Sequence, residues 1–457
     1  MLIFGYLLIA TGHLTGVNKA AIAMFLGTVG WVIYICWGSD FVMAEHAGDY
    51  QEFLSGEDPS SDAVKFFIRD NVFLYYVGRA ASIVMFLLAT MSIIEILNNN
   101  GCFDFVSKWI RTRNSKRLLW TITLATFIIS ANLDNLTTAT MMLVIMHGII
   151  QSRRQRMLIG SAIVIAANCG GCFTVIGDPT GLLLWGDGAV TATNFTSYMA
   201  LPAVLAWVVP TVLIGRALPD RLDTQWSPMP YRGDDTNLNQ WQRVVMLFVG
   251  IGGLWFIPTF HNITKLSPFL GALCVLSVLW VVNEIFNRKL MNADQMSQRF
   301  IPRALQYGSI QQILFVMGIM MGMGVITETG IFPDVAQWID DNIHNVWILG
   351  IVSGLLSSLV DTFTIAISDI SLYPVVKGAL PGDYIGNFIA NGAYWKIIAY
   401  CTAVGGCMLS VGSVSGLALM KMEHIRTGWY LRNITLKVLA GWLIGLGALW
   451  FEIYMYN

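Results

Sequence analysis

Charge is what this sequence has least of. Only 12% of its 457 residues are Asp, Glu, Lys or Arg, about half the roughly 25% usual in a soluble domain. With 55% hydrophobic residues and a mean hydropathy of +0.62, a soluble enzyme built around one core is excluded. Charge of a single sign is missing too. The 27 Lys and Arg balance 28 Asp and Glu, which leaves no surplus for nucleic-acid phosphates. Cysteine is sparse and odd in number. The seven lie scattered, mostly in apolar runs, so a disulfide framework is not expected. Cys169-Gly-Gly-Cys172 has the spacing of a redox motif but no βαβ pattern beside it, and reads as small residues at a close helix contact. The six His show no metal-ligand spacing; of these, His13 is the candidate for a pH-sensing role near the cytoplasmic face. Phosphate-binding loop, nucleophile elbow and metal motif are all lacking. Neither enzyme activity nor a cofactor is expected.

What is present is a succession of apolar stretches, each near the roughly 20 residues a spanning helix needs. They fall at 1–12 (short), 19–38, 74–97, 156–185, 198–217, 243–259, 266–286, 309–327, 394–420 and 434–455. The 24 Phe, 16 Trp and 15 Tyr suit lipid contact and interfacial belts. The first stretch lacks a basic leader and reads as a membrane helix. The partner implied is the lipid bilayer, and the composition is that of an all-α polytopic membrane protein.

Two further apolar stretches, 118–150 and 345–377, behave differently. Basic segments flank the first on both sides, at 108–117 and 151–156, and short basic loops stay cytoplasmic. About 33 residues separate them, whereas two crossings need roughly 40 plus a turn. The stretch is therefore expected to dip in and return as a re-entrant helical hairpin with the polar tip Ser130-Ala-Asn-Leu-Asp-Asn-Leu-Thr-Thr138. Such a tip survives at membrane depth only when buried in protein or water. The second stretch carries Ser357-Ser-Leu-Val-Asp-Thr-Phe-Thr364 in its middle and the acidic Asp340-Asp-Asn342 upstream. It is expected to dip in from the opposite side. The segments 216–232, 287–303 and 421–432 are also basic, and 39–70 is an acidic extracytoplasmic loop.

The two halves resemble each other. Gly101 to Ile110 matches Gly330 to Ile339, Ser130 to Thr137 matches Ser357 to Thr364, and Gly170-Gly-Cys172 with Gly177 and Gly181 matches Gly405-Gly-Cys407 with Gly412 and Gly416. The offsets, about 229, 227 and 235, are too alike for chance. Opposite flanking charge makes these inverted repeats, the plan of secondary transporters. The glycine-rich centres of 156–185 and 394–420 predict discontinuous helices, whose unwound carbonyls and half-helix ends hold ions. Each repeat thus has a re-entrant hairpin and a broken helix. The expected division is 1–73 (N-terminal helices and acidic loop), 74–219 (repeat 1), 220–308 (linker and scaffold helices) and 309–457 (repeat 2).

The strings Gly5-Tyr-Leu-Leu-Ile-Ala10, Asn18-Lys-Ala-Ala-Ile22, Met91-Ser-Ile-Ile-Glu95, Ala131-Asn-Leu-Asp-Asn-Leu-Thr137, Ala166-Ala-Asn168, Ile176-Gly-Asp178 and Gly428-Trp-Tyr430 resemble the NhaD-type sodium/proton antiporter family of the ion transporter superfamily. The resemblance implies two re-entrant hairpins, two discontinuous helices and export of Na⁺ or Li⁺ against entering protons. The chain departs from that family's pattern at Asp361-Thr-Phe-Thr364, where Asp-Asn-Val-Pro is usual, and at Pro179-Thr-Gly-Leu182 after Gly177-Asp178. Both departures bear on cation preference and stoichiometry.

A carboxylate at a buried tip is expensive unless it binds a cation, takes a proton or pairs. Ionised, Asp134 would ligate Na⁺; desolvated without Na⁺, it would take up a proton, and competition between the two ions would produce exchange. The plainer alternative, a cap on the following half-helix, is compatible with that role. Asp361 is its repeat mate. Asp178 lies in the first helix break, with Ser413 as its mate. Asn132, Asn135, Thr137, Asn168, Thr180, Ser357, Thr362, Thr364 and Ser410 offer neutral oxygens, against local back-bonding. Asp369 is a further intramembrane acid. The Na⁺ set expected is Asp134, Asn135, Asn168 and Asp361. Glu95, Glu328 and Arg79 lie near span ends and read as snorkelling, an ion pair with a buried acid being the alternative for Arg79.

Exchange of Na⁺ or Li⁺ for H⁺ in a bacterial cytoplasmic membrane is the leading reading, with small inorganic ions as partners and room for a homodimer. A Na⁺-coupled dicarboxylate or sulfate symporter on the same scaffold is the runner-up, and two tip aspartates oppose it. An intramembrane aspartyl hydrolase, with Asp134 paired to Asp361 or Asp178, needs neither repeat nor broken helices.

Overall fold

The computed structural model describes residues 5, 8–9, 11, 17–55, 60–103, 112–224, 238–287, 303–378 and 383–456, with side chains from 310 in the last but one of these segments. Most of the stretch 1–12, His13, the repeat match beyond Phe103 and much of the basic segments 216–232 and 287–303 lie outside the described residues.

Among the described residues the chain is helical, with three isolated β-bridges and no named strand. The first helices are α1 (Lys19–Trp37), α2 (Ser39–Glu45), α3 (Ala47–Leu54) and α4 (Ser61–Asn99). The acidic segment expected as a loop is therefore largely helical: α2, α3 and the start of α4 bury Val42, Tyr50 and Phe67 in a small cluster of their own. Repeat 1 continues with α5 (Ser115–Ser130), α6 (Asn135–Ile149), α7 (Arg153–Phe173), α8 (Pro179–Gly186) and α9 (Ala192–Gly215). After α10 (Gln240–Thr264) and α11 (Pro268–Asn287), repeat 2 runs through α12 (Arg303–Glu328), α13 (Ile331–Asn342), α14 (Val346–Leu359), α15 (Thr362–Leu372), α16 (Ala393–Gly405), α17 (Val414–Glu423) and α18 (Leu436–Tyr456). Eight helices among these are long and apolar enough to span a bilayer. This is a polytopic membrane protein.

The expected special elements form. α5 and α6 are the arms of the first hairpin, α14 and α15 those of the second. The broken helices are α7–α8, interrupted at 174–178, and α16–α17, interrupted at 406–413. α7 packs on α5, and α16 on α14; the second half of each broken helix reaches the opposite hairpin, α8 against α15 and α17 against α6. The two repeats are thereby clasped about one centre.

Glycine allows these close crossings. A Cβ on Gly170 would meet Phe127 O at 2.4 Å, and one on Gly405 would meet Gly354 O at 2.4 Å, well inside van der Waals contact. Outside the repeats, α1 lies on α12 at the same kind of small-residue crossing, with Gly318 against the Ala23 backbone. The large exposed side chains, such as Phe248, Trp255 and Leu436, suit lipid. The buried polar side chains gather at the hairpin tips and helix breaks.

Candidate functional site

Each tip and each break presents a helix N-terminus, and a side-chain oxygen caps it. Asp134 caps α6, its Oδ2 accepting from Thr137 N at 3.0 Å and Thr137 Oγ1 at 3.1 Å. Asp178 caps α8 through Thr180 N at 2.9 Å, with Pro179 at the first helical position. Asp361 caps α15, its Oδ2 accepting from Phe363 N at 3.1 Å and Thr364 N at 3.3 Å. Ser413 caps α17 through Gly416 N at 3.1 Å. These caps satisfy orphan N–H groups and place anions on the positive ends of half-helices. The three carboxylates are 2%, 5% and 1% exposed in that order, so water contributes almost nothing to their solvation.

Amides connect the caps. Asn135 Nδ2 donates to Asp178 Oδ2 at 3.2 Å and to Asn168 Oδ1 at 3.3 Å. Asn168 Nδ2 donates to Val164 O at 2.9 Å and reaches Ser413 Oγ at 3.5 Å, which joins the two repeats. The hairpin, the helix break and the opposite repeat thus share one polar network. Between them lies a cavity of about 20 Å³ lined by Asn135, Asn168, Asp178, Gln312, Asp361 and Thr362, with apolar walls from α12. That is room for one water-sized particle. Asp361 Oδ1 and Gln312 Oε1, on its wall, are buried with no hydrogen-bond partner among the described residues.

The other expected residues are distributed around this centre. Asp134 stands just behind the wall: its Oδ1 accepts from Gln312 Nε2 at 2.9 Å. Thr137 and Thr364 serve their own aspartates, and Thr180 supplies the N–H that Asp178 caps. Ser357 Oγ donates to Thr402 O at 2.7 Å, the counterpart of Ser130 Oγ to Ala167 O at 2.6 Å. Ser410 is buried, with no partner for its hydroxyl among the described residues. Of the expected residues, Asn135, Asn168, Asp178, Asp361 and Thr362 line the cavity; Asn132 and Asp369 turn to partners away from it. Asn132 donates to Ile128 O at 2.7 Å and accepts from Trp255 Nε1. Asp369 lies further along α15, where Ser353 Oγ donates to it at 3.0 Å.

Two side chains that the sequence reading passed over belong here. Gln312 links Asp134 to the cavity; the polar pair Gln311-Gln312 inside an apolar stretch was the available signal. Lys19, at the start of α1, donates through Nζ to Val360 O at 3.0 Å and Val411 O at 3.3 Å. Those partners lie in the other half of the chain, so nothing local marks it. Two snorkelling expectations are corrected. Glu328 is 6% exposed and accepts from Tyr76 OH at 2.8 Å, with His46 Nε2 at 2.7 Å. Arg79 forms an ion pair, as in its alternative, but with Asp187, an exposed acid and not a buried one.

A carboxylate-lined cavity of one-particle size lies where two hairpin tips meet two helix breaks. The CitMHS model, described as citrate transporter, matches residues 1–405. The chain belongs to the CitMHS family. It is also similar to curated relatives. Sodium/proton antiporter 2 of Arabidopsis thaliana is 30% identical over 81% of this chain and 84% of its own length. Sodium/proton antiporter 1 of the same plant is 31% identical over 81% of this chain, a match that spans 62% of that longer protein. Na(+)/H(+) antiporter NhaD of Vibrio cholerae is 25% identical over 75% of this chain and 72% of its own. Among solved structures, the YdaH transporter of Alcanivorax borkumensis aligns with a TM-score of 0.58 over 96% of this chain and 99% of that one, at 11% identity, a likeness of fold. The CitMHS chain described here is therefore a transporter, with the inverted-repeat architecture expected from its sequence.

Proposed function

We propose that this CitMHS member exchanges Na⁺ or Li⁺ for H⁺ across a bacterial cytoplasmic membrane. The observation that carries the reading is the cavity itself: Asp178, Asp361, Asn135 and Asn168 converge on a volume of about 20 Å³. A site of that size suits a dehydrated monovalent cation. Carboxylate and amide oxygens are the hard donors such an ion takes in place of water. Asp178 and Asp134 cannot remain charged and uncompensated out of water. Either a cation or a proton must neutralise them, so departure of Na⁺ favours arrival of H⁺ at the same oxygens. Exchange follows from that competition. The names of the relatives support the same reading.

Citrate, named in the family description, is a trianion many times larger than the cavity and would meet carboxylates there. We therefore favour cation exchange over anion symport. The test is a reconstituted vesicle holding an acid interior and a pH-sensitive fluorophore. Added Na⁺ or Li⁺ should dissipate the gradient, choline should not, and Asp178→Asn should abolish the response while the protein remains monodisperse. Undiminished exchange by that variant, or citrate uptake with no Na⁺ response, overturns the reading.

A further inference from the structure

The two repeats are built alike in backbone and unlike in the groups that face the centre. The glycine pattern superimposes at one offset: Gly170, Gly171, Gly177 and Gly181 on Gly405, Gly406, Gly412 and Gly416. The close approaches repeat as well. A Cβ on Gly177 would meet Gly171 O at 2.7 Å and Ser130 O at 2.8 Å; one on Gly412 would meet Gly406 O at 2.7 Å and Ser358 O at 2.6 Å. Even the hydrogen bond from Ser130 to Ala167 recurs as Ser357 to Thr402.

The same offsets expose what differs. Asn135 corresponds to Thr362, Asn168 to Ala403 and Asp178 to Ser413. Repeat 2 lacks both amides and the carboxylate of the break. It holds a cation in their place. The Lys19 ammonium sits on Val360 O, at the hairpin tip, and Val411 O, in the break of the broken helix. These are carbonyls from the two elements whose unwinding makes an ion cradle. It also attracts the Asp361 carboxylate electrostatically. The scaffold helix α10 contributes differently at the other repeat: its Trp255 brings a neutral indole N–H to Asn132 at the first tip.

We propose that the Lys19 ammonium is a tethered cation that fills the ion cradle of repeat 2, so that the protein binds one Na⁺, in repeat 1, where two equivalent repeats would offer two places. This rests on the Na⁺ reading above and deepens it. An ammonium and a Na⁺ compete for the same carbonyl oxygens, and an intramolecular ligand present at high effective concentration prevails. The polar residues that repeat 2 lacks are those that a mobile cation would need and a tethered one does not.

The experiment counts ions. Purified full-length protein is titrated with ²²Na⁺ by equilibrium binding, as wild type, Lys19→Ala and Lys19→Gln. Wild type should saturate at one Na⁺ per chain. Lys19→Ala should bind a second, weaker Na⁺. Lys19→Gln, which keeps a donor for the carbonyls, should stay at one. Two Na⁺ on wild type with exchange intact overturns this inference and leaves the antiport reading standing. One Na⁺ on a monodisperse Lys19→Ala protein also overturns it. Absence of Na⁺ binding to any form, with no Na⁺ response in vesicles, overturns both. Should the Lys19 variants fail to fold, the wild-type count still decides, two against the inference and one for it.

Discussion

Asn135 donates to Asp178 across the gap between the first hairpin and the first helix break, at 3.2 Å, while the same Nδ2 reaches Asn168 at 3.3 Å. One amide therefore fixes the orientation of a carboxylate and of a second amide on two separate elements. Its position at the start of α6, directly after the Asp134 cap, makes hairpin geometry and cavity chemistry parts of the same local structure.

Asn135→Ala should weaken Na⁺ more than it weakens the fold. It leaves Asp178 Oδ2 and Asn168 Oδ1 without their donor, a loss of about 1–3 kcal/mol for buried groups. The half-saturating Na⁺ concentration should rise roughly tenfold, since ~1.4 kcal/mol is a factor of ten. Vesicle exchange measured across Na⁺ concentrations reports it. An unchanged half-saturation would remove Asn135 from the site.

The glycines at the crossings should be intolerant in proportion to the backbone they face. Gly405→Ala drives a methyl to 2.4 Å from Gly354 O, backbone that cannot swing aside, and overpacking of this kind costs about 1–3 kcal/mol. Gly447→Ala, also helical, meets nothing within 4 Å and should be neutral or stabilising by up to ~1 kcal/mol. Thermal melting in detergent separates them; equal melting temperatures would contradict the packing account.

The backbone plan was legible in the sequence because it is written in local, repeated signals. The basic flanks at 108–117 and 151–156 left too few residues for two crossings, and the glycine strings recurred at one offset. The caps at Asp134, Asp178 and Asp361 were legible for the same reason. What escaped depends on contacts between distant segments. Lys19 finds its partners over 300 residues away, and Gln312 reaches Asp134 from another helix. Asn132, three positions before Asn135, carries the same functional group yet points to Trp255 instead of the cavity. Spacing along a turn does not determine which way a side chain at a non-helical tip faces.

Glu423 should be a structural keystone on the side marked by basic segments. It is 2% exposed, and accepts from Arg156 Nε at 2.8 and 2.9 Å, with His147 Nδ1 at 2.8 Å; it joins the ends of α6, α7 and α17. Glu423→Met strands a half-buried guanidinium, and breaking a buried pair this way costs about 3–5 kcal/mol. Replacing both partners by apolar residues is often close to neutral. The double variant Arg156→Met/Glu423→Met should therefore recover at least half of the loss in melting temperature. A double variant no more stable than the single would show that the pair itself is not the cause.

The Arg79–Asp187 pair makes the sharpest kinetic prediction. Arg79 Nε donates to Asp187 Oδ1 at 3.0 Å, tying α4 to the residue that ends α8. The two border a cavity of about 590 Å³ that shares no lining residue with the ion cavity. α8 carries Asp178 at its other end, so any shift of that carboxylate along this half-helix strains the tie. With side chains 23% and 25% exposed, the pair is expected to contribute about 1 kcal/mol, too little to hold the fold and enough to change a rate severalfold. Asp187→Asn and Arg79→Gln should each alter turnover severalfold while leaving half-saturating Na⁺ within about twofold, because neither touches the ion cavity. The double variant Arg79→Gln/Asp187→Asn should differ from the sum of its singles, as a double-mutant cycle requires of partners that interact. A double variant that behaves as the sum of its singles would show that the tie does not bear on the transport step.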